Sequence, residues 1–280
     1  MPDPAPSLPF ISVVMPSYNK AAYLRQSVDS VLCQNYPSLE LIVVDGASTD
    51  GTREILKSYG TRIRWVSEKD GGQADALNKG IAMASGEIIG WLNADDLYEP
   101  GALAAVGKYF AEHPERMWLT GLCSIIDEHG REIRKWITRY KDYHVRRYCY
   151  GALVVQNIIS QMATFMRKSV FETTCPFNTQ LVYTMDYDMW LRIGKVHSPG
   201  ILDQKLAKFR MYAETKSYKG FYRQFKESYD LAKKHAADQR TSLILHRLHR
   251  VKIVSVYTLL VLLKNLTAVK VWLIDRFRQL

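Results

Sequence analysis

Cysteine is scarce in this chain. Cys33, Cys123, Cys149 and Cys175 are scattered, and no two have the spacing of zinc ligands or of a small disulfide scaffold. Reduced thiols in a cytosolic compartment are the expected state. Long apolar runs are missing too. In the C-terminal stretch "RVKIVSVYTLLVLLKNLTAVKVWLIDRF" the longest uncharged run, Ile253 to Leu263, has 11 residues. A membrane-spanning helix needs roughly 20. Lys264 and Lys270 would fall inside any span, each adding about 2.5–3.5 kcal/mol at mid-bilayer. The start, "MPDPAPSLPF", has neither the basic nor the apolar segment of a secretory signal and reads as a short leader. No Gly-rich basic loop follows the first apolar run, where "MPSYNKAAY" stands. That argues against a nucleotidyltransferase gripping a triphosphate.

Acidic residues run short at one end only. Residues 1–204 hold 21 Lys/Arg against 23 Asp/Glu, whereas residues 205–280 hold 17 against 5. The net charge of +10 therefore comes from the C-terminal quarter. Such an asymmetry suits an anionic membrane surface or a nucleic acid. A non-catalytic nucleotide- or nucleic-acid-binding module is the rival reading. It is supported only weakly, by Tyr218, Phe221, Tyr222 and Phe225 as stacking residues.

A hydrophobic content of 47% is ample for a real core. The first hundred residues alternate between two textures. "ISVVMPSY", "LELIVVDG", "IRWVSE" and "EIIGWLNAD" are β-rich apolar runs, and each is followed by a helical stretch. Regular alternation at short spacing predicts an α/β fold with a mostly parallel sheet flanked by helices. Beyond it, "MWLTGLCSIID" and "REIRKWI" read as a hairpin around "EHGR", and the chain turns helical from Phe221. We expect a nucleotide-binding domain over residues 1–220 and a basic, amphipathic helical region over 221–280.

Ligands in such sheets bind beyond the carboxyl ends of the strands. The unusual polar clusters fall there: "PSYN", "DGASTDG", "EKDGG" and "NADD". A helix cap accounts for one of the adjacent carboxylates Asp95 and Asp96. Two carboxylates beside Asn93 suit a hard divalent ion, Mn²⁺ or Mg²⁺, which prefers oxygen ligands and leaves room for substrate phosphates.

"ISVVMPSYNKAAYLRQSVDSVLCQNYPSLELIVVDGASTDGT", then "GWLNADD", then "QMATFMRKSVFE…YTMDYDMWLRIG" resemble the family two glycosyltransferases of the GT-A fold over about residues 10–217. The resemblance implies a nucleotide-sugar donor, most often a UDP-sugar, and a glycan or lipid-linked glycan acceptor. By position, Pro16, Ser17, Tyr18 and Asn19 match the loop that cradles base and ribose. Asp45 matches the acid that accepts a hydrogen bond from the base, and Asp70 with Gly71 the loop near the ribose and sugar. Asp95 and Asp96 match the carboxylates that hold the metal bridging the diphosphate. Asp186 of "MDYDMWLR" matches the general base of an inverting transfer, with Asp188 as the alternative. Three positions depart from the pattern: Asn93 and Met185 stand where many members carry acids, and Tyr212 where many carry His. Metal binding then leans on Asp95, and Arg210 or Lys216 is left to balance the leaving diphosphate. The tail implies a protein peripheral to the inner face of the cytoplasmic membrane, or one that pairs with a second copy through its C-terminal helices. No nucleic acid is expected as partner.

Overall fold

The computed structural model describes residues 7–174, 176–213, 215, 221–255 and 258. In β1 (Ile11–Ser17) side chains leave alternately on opposite faces. Ile11, Val13 and Met15 enter one core cluster and Val14 the other. The same period of two runs through β2 (Leu39–Asp45), whose Leu41 and Val43 pack with the first set and Ile42 and Val44 with the second. A sheet apolar on both faces needs cover on both. Helices α1 (Ala21–Leu32), α2 (Thr52–Ser58) and α4 (Ala102–Glu112) bury residues in the first cluster. Helices α3 (Gln73–Met83), α6 (Tyr150–Val155) and α8 (Met185–Gly194) bury theirs in the second.

The remaining strands are β3 (Arg64–Ser67), β4 (Ile88–Trp91), β5 (Leu97–Tyr98), β6 (Trp118–Ile126), β7 (Thr164–Arg167) and β8 (Gly200–Arg210). One eight-stranded sheet runs β3-β2-β1-β4-β7-β6-β8-β5. Strands β1 to β4 are mutually parallel, and β7 turns the direction by pairing antiparallel with both β4 and β6. The mostly parallel α/β sheet expected from the alternation is therefore present. Its register sets Ser17 opposite Asp45 and Asp45 opposite Ser67, so three strands end level with one another.

Two expectations need correction. The hairpin around "EHGR" is reduced to a single bridge, Ile126 to Glu132. The sequence "KWI" begins helix α5 (Lys135–Arg146), because Thr138, Asp142 and Val145, at helical spacing, bury one face. The long strand β8 was not foreseen; it pairs parallel with β6 and carries Arg210 to the sheet edge.

Across the second cluster, Trp91 and Trp118 both stack on Trp190, with centroids 5.4 and 5.5 Å away. This ties the end of β4 to α8. The C-terminal helix Phe221–His235 docks on the same cluster through Leu231 and Ala232. A further helix over 240–255 follows, with His246 buried and its Nδ1 hydrogen-bonded to the Val154 carbonyl at 2.7 Å. Among the described residues no helix is long and apolar enough to cross a membrane. Most of the apolar tail, residues 256–257 and 259–280, lies outside the described residues.

Candidate active site

The level ends of β1, β2 and β3 build the first part of the site. Asp45 is fully buried. Its Oδ2 accepts from the Ser48 amide at 3.0 Å and the Ser67 hydroxyl at 2.6 Å, and its Oδ1 from the Ser48 hydroxyl. A carboxylate held by that many donors has one orientation. Asn19, in the left-handed region at φ 50, closes the loop by accepting from the Thr49 amide at 3.0 Å while its own amide donates to Ser48 Oγ at 2.8 Å. Pro16 and Ser17 belong to β1 itself and are buried, while Tyr18 projects into solvent at 63% exposure. Asp50 is spent on capping, accepting from the amides of Ala21 and Thr52 at 2.9 and 3.2 Å.

Asp70 lies against the β2 exit. A Cβ on Gly46 would stand 2.8 Å from its Oδ2, so only glycine lets the two loops approach this closely. Asp70 Oδ1 accepts from the Gly72 amide at 2.9 Å, and the Gly71 amide donates to Asp75 at 2.9 Å. The third-strand loop is thus preformed at the start of α3.

After β4 the two adjacent carboxylates part company. Asp96 turns inward: it is fully buried, its Oδ1 accepts from the Arg210 amide at 2.8 Å, and its Oδ2 accepts from the Asn93 side-chain amide at 2.9 Å. Burial and the neighbouring Asp95 charge push its carboxyl well above the usual range. Both of its oxygens thus accept from protein donors. Asn93 now has a reason: an acid there would set a second carboxylate against buried Asp96, whereas the amide donates to it.

Asp95 keeps slight exposure, its side chain 12% exposed. Its Oδ2 accepts from Lys20 Nζ at 2.7 Å and from the Tyr212 hydroxyl at 2.7 Å, and Lys20 also donates to Tyr212. Burial first, then the charge of Asp95, raise the Tyr212 phenol above its ordinary value, so it stays protonated. Arg210 does not balance a phosphate. It is buried, with Nε on the Asp95 carbonyl at 2.9 Å and its other nitrogens on the Glu128 carbonyl and Gln26 at 2.9 and 2.8 Å. Lys216 lies outside the described residues.

Asp186 opens α8, the helix whose Trp190 stacks on Trp91. Its Oδ2 accepts from the Asn157 amide at 3.2 Å. Burial raises its carboxyl above the usual range, against the pull of the Tyr187 amide and Asn157. A cavity of about 230 Å³, lined by Asn157, Thr184, Gln224, Phe225 and His249 among others, opens beside it. Asp188 faces elsewhere. It is 3% exposed and bound by Arg192 Nε at 3.0 Å and His235 Nε2 at 2.8 Å. Both of its oxygens are thus engaged by protein partners.

Two residues without a role in the sequence reading join the site. One is Lys20, which follows Asn19 directly and could have been noticed there. The other is Glu227, whose carboxylate accepts from the amides of Val182 and Tyr183 at 3.2 and 2.9 Å and from Thr184 Oγ1 at 2.8 Å. It secures the segment leading into Asp186. No local signal could have found it, since its partners lie 43 to 45 residues away.

A mostly parallel sheet flanked by helices, with Asp45, Asp70 and Asp95 at the ends of its strands, is the architecture of the GT-A glycosyltransferases. The chain belongs to glycosyl transferase family 2, which it matches over residues 12–173. It is 30% identical over 215 residues to an uncharacterized glycosyltransferase of Rickettsia felis, covering 75% of this chain and 36% of that one. Over 192 residues it is 30% identical to the chondroitin synthase of Pasteurella multocida, covering 68% of this chain and 19% of the synthase. It thus spans about a third or less of the length of these two relatives. Among solved structures, S. aureus TarS 1-349 in complex with UDP-GlcNAc superposes with a TM-score of 0.63 at 17% identity, over 84% of this chain and 70% of that one. The Pyrobaculum calidifontis mannosyltransferase PcManGT, in complex with GDP-Man and Mn²⁺, gives 0.60 at 21% identity, over 91% of this chain and 81% of that one. Both show the same fold.

Proposed function

We propose that this protein is an inverting glycosyltransferase that moves a sugar from a UDP-sugar to a hydroxyl of a glycan or lipid-linked glycan, in polysaccharide or cell-envelope synthesis. The observation that carries this reading is the arrangement of three carboxylates: Asp45 locked by Ser48 and Ser67 at the sheet edge, Asp95 paired with Lys20 and Tyr212, and Asp186 at the start of α8. UDP-GlcNAc in TarS and a polymerising relative such as chondroitin synthase support the donor and acceptor classes.

In this reading Asp45 accepts the base's N–H, Tyr18 and Asn19 border the nucleoside, and Asp70 and Gly71 border the ribose and sugar. Asp186 takes the proton of the acceptor hydroxyl. That oxygen attacks the anomeric carbon from the face opposite the diphosphate, inverting it, and general-base help of this kind is worth about 10² to 10⁴ in rate. Asp95 would hold a divalent ion through a carboxylate oxygen of the type Mn²⁺ or Mg²⁺ prefers, the oxygen that here accepts from Lys20 and Tyr212. Among the described residues no group of three or more His, Cys, Asp or Glu would complete a metal site. The other oxygens must then come from the diphosphate and water. A bound ion would supply Lewis-acid neutralisation of the leaving diphosphate.

We place the enzyme at the inner face of the cytoplasmic membrane. On the helix over 240–255, Ile244, Leu248 and Val251 are 59–62% exposed along one stripe, next to Arg247 and Arg250. An apolar stripe flanked by cations is what an interfacial helix presents to anionic lipid. The same stripe pairing two copies of the chain is the competing use.

The donor reading is tested by titration calorimetry with UDP-, GDP- and dTDP-sugars in the presence of Mn²⁺. A UDP-sugar should bind, and Asp95→Ala should abolish the metal-dependent part while the protein stays folded. Unchanged affinity in Asp95→Ala would move the diphosphate elsewhere.

A further inference from the structure

The cation nearest to Asp95 is one the chain supplies itself. Lys20 Nζ sits 2.7 Å from Asp95 Oδ2, with the two side chains 26% and 12% exposed. Tyr212 shares the same oxygen at 2.7 Å. A metal ion needs that oxygen free of an ammonium, because two cations on one carboxylate oxygen repel in a half-buried setting. Further charge is withheld from the place by Asn93, whose amide is neutral, and by Asp96, whose oxygens face Arg210 and Asn93.

The backbone of Lys20 is fixed by its carbonyl, which accepts from the Tyr23 and Leu24 amides at the start of α1, at 3.0 and 2.9 Å. Its ammonium is held only by Asp95 and Tyr212, at the end of a four-carbon stem whose rotamers can carry it elsewhere once those partners are replaced. An ammonium released from Asp95 needs a new counter-charge. A nucleoside diphosphate arriving at the sheet edge brings one, together with the oxygens the ion lacks.

We propose that Lys20 is a tethered counter-cation that occupies Asp95 until the donor arrives, so that a divalent ion binds weakly alone and tightly only with the diphosphate. Lys20 is in this sense a positioning residue: it suppresses metal capture by the empty site and makes metal and donor enter together. The inference rests on the reading of Asp95 as the metal carboxylate.

The test uses Mn²⁺ alone as probe, with free ion counted by electron paramagnetic resonance, on the full chain and on K20M, K20Q and K20R. Without nucleotide, K20M and K20Q should bind Mn²⁺ at least about tenfold more tightly than wild type. K20R keeps the charge and should stay as weak as wild type, a distinction that a packing defect would not produce. Addition of UDP should tighten Mn²⁺ binding to wild type far more than to K20M. Thermal unfolding of each variant identifies any that is misfolded, and K20Q serves where K20M fails. Equal Mn²⁺ affinity for wild type, K20M and K20Q overturns the inference. Absence of UDP binding by all four proteins, measured by calorimetry on the same samples, would instead overturn the donor reading on which it rests.

Discussion

Replacing Asp188 by Ala should damage the fold and spare the chemistry. Asp188 lies within α8 at 3% exposure, with Arg192 Nε 3.0 Å from one oxygen and His235 Nε2 2.8 Å from the other. Arg192 also donates to the Thr174 carbonyl and, at 3.2 Å, to the Pro176 carbonyl, so the carboxylate anchors a loop as well as two side chains. Removing one partner of a buried ion pair typically costs about 3–5 kcal/mol, since the remaining charge stays buried without a counter-charge. At about 2–4 °C per kcal/mol for a chain of this size, the melting temperature should fall by roughly 6–20 °C. The effect has a pH signature. Burial raises the Asp188 carboxyl, but the His235 hydrogen bond and the Arg192 charge outweigh it and hold it below its usual range. A depressed carboxyl contributes stability above its unfolded pKa of about 3.9 and loses it as pH falls through the lower folded value. The gap between wild type and Asp188→Ala should therefore be full at pH 7 and close in strong acid. Circular dichroism melts at several pH values measure this. A shift under about 2 °C at pH 7, or a gap that widens toward acid, would refute the reasoning.

Asp186→Asn should lower transfer by about 10² to 10⁴ while UDP-sugar affinity measured by calorimetry survives. Because burial raises the Asp186 carboxyl, kcat/KM should fall on the acid side at a pH above the ordinary carboxylate range, and that limb should vanish in Asp186→Asn. Asp45→Asn replaces the acceptor that Ser48 and Ser67 orient, and should weaken UDP binding roughly 10- to 100-fold, the worth of a charged hydrogen bond. Ile244→Glu with Leu248→Glu, both at exposed positions, should leave the melting temperature unchanged and release the protein from anionic liposomes in a flotation assay. If the double variant stayed bound but lost a dimer in sedimentation, the stripe would be a subunit contact instead.

The four parallel strands were legible because each shows its apolar run plainly and a helical stretch follows it. Strand β8 was not, because "GILDQKLAKFR" mixes charges into a strand only partly buried, and its partner β6 lies some eighty residues earlier, as Leu119 opposite Gly200 shows. Helix α5 was misread for a related reason: its buried face includes Thr138 and Asp142, so no apolar stripe announces it. The site residues divide along the same line. Asp45, Asp70 and Asp95 stand in local motifs at strand ends. The His235 partner of Asp188 lies 47 residues away, and no short pattern encodes that contact.

The adjacent carboxylates of "NADD" show how one dipeptide serves two purposes. Where a strand ends, consecutive side chains still leave the backbone on different sides. Asp96 points into the fold and meets the amide N–H of Arg210, whose guanidinium reaches back to the Asp95 carbonyl at 2.9 Å. The backbone of Asp95 is thus clamped by the residue that its neighbour orients. Asp95 keeps slight exposure and pairs with Lys20 and Tyr212 instead. Burial and the Asp95 charge push the Asp96 carboxyl upward, toward holding its proton, which lessens the repulsion between the neighbours. Moving the inner carboxylate would misplace the outer one without touching it. Asp96→Asn should for that reason impair Mn²⁺-dependent donor binding less than Asp95→Ala, and Asp96→Leu, which also orphans the Arg210 amide, should impair both stability and binding. Calorimetry and melting curves on the three variants would show the order. A loss in Asp96→Asn equal to that in Asp95→Ala, at unchanged melting temperature, would return Asp96 to the metal.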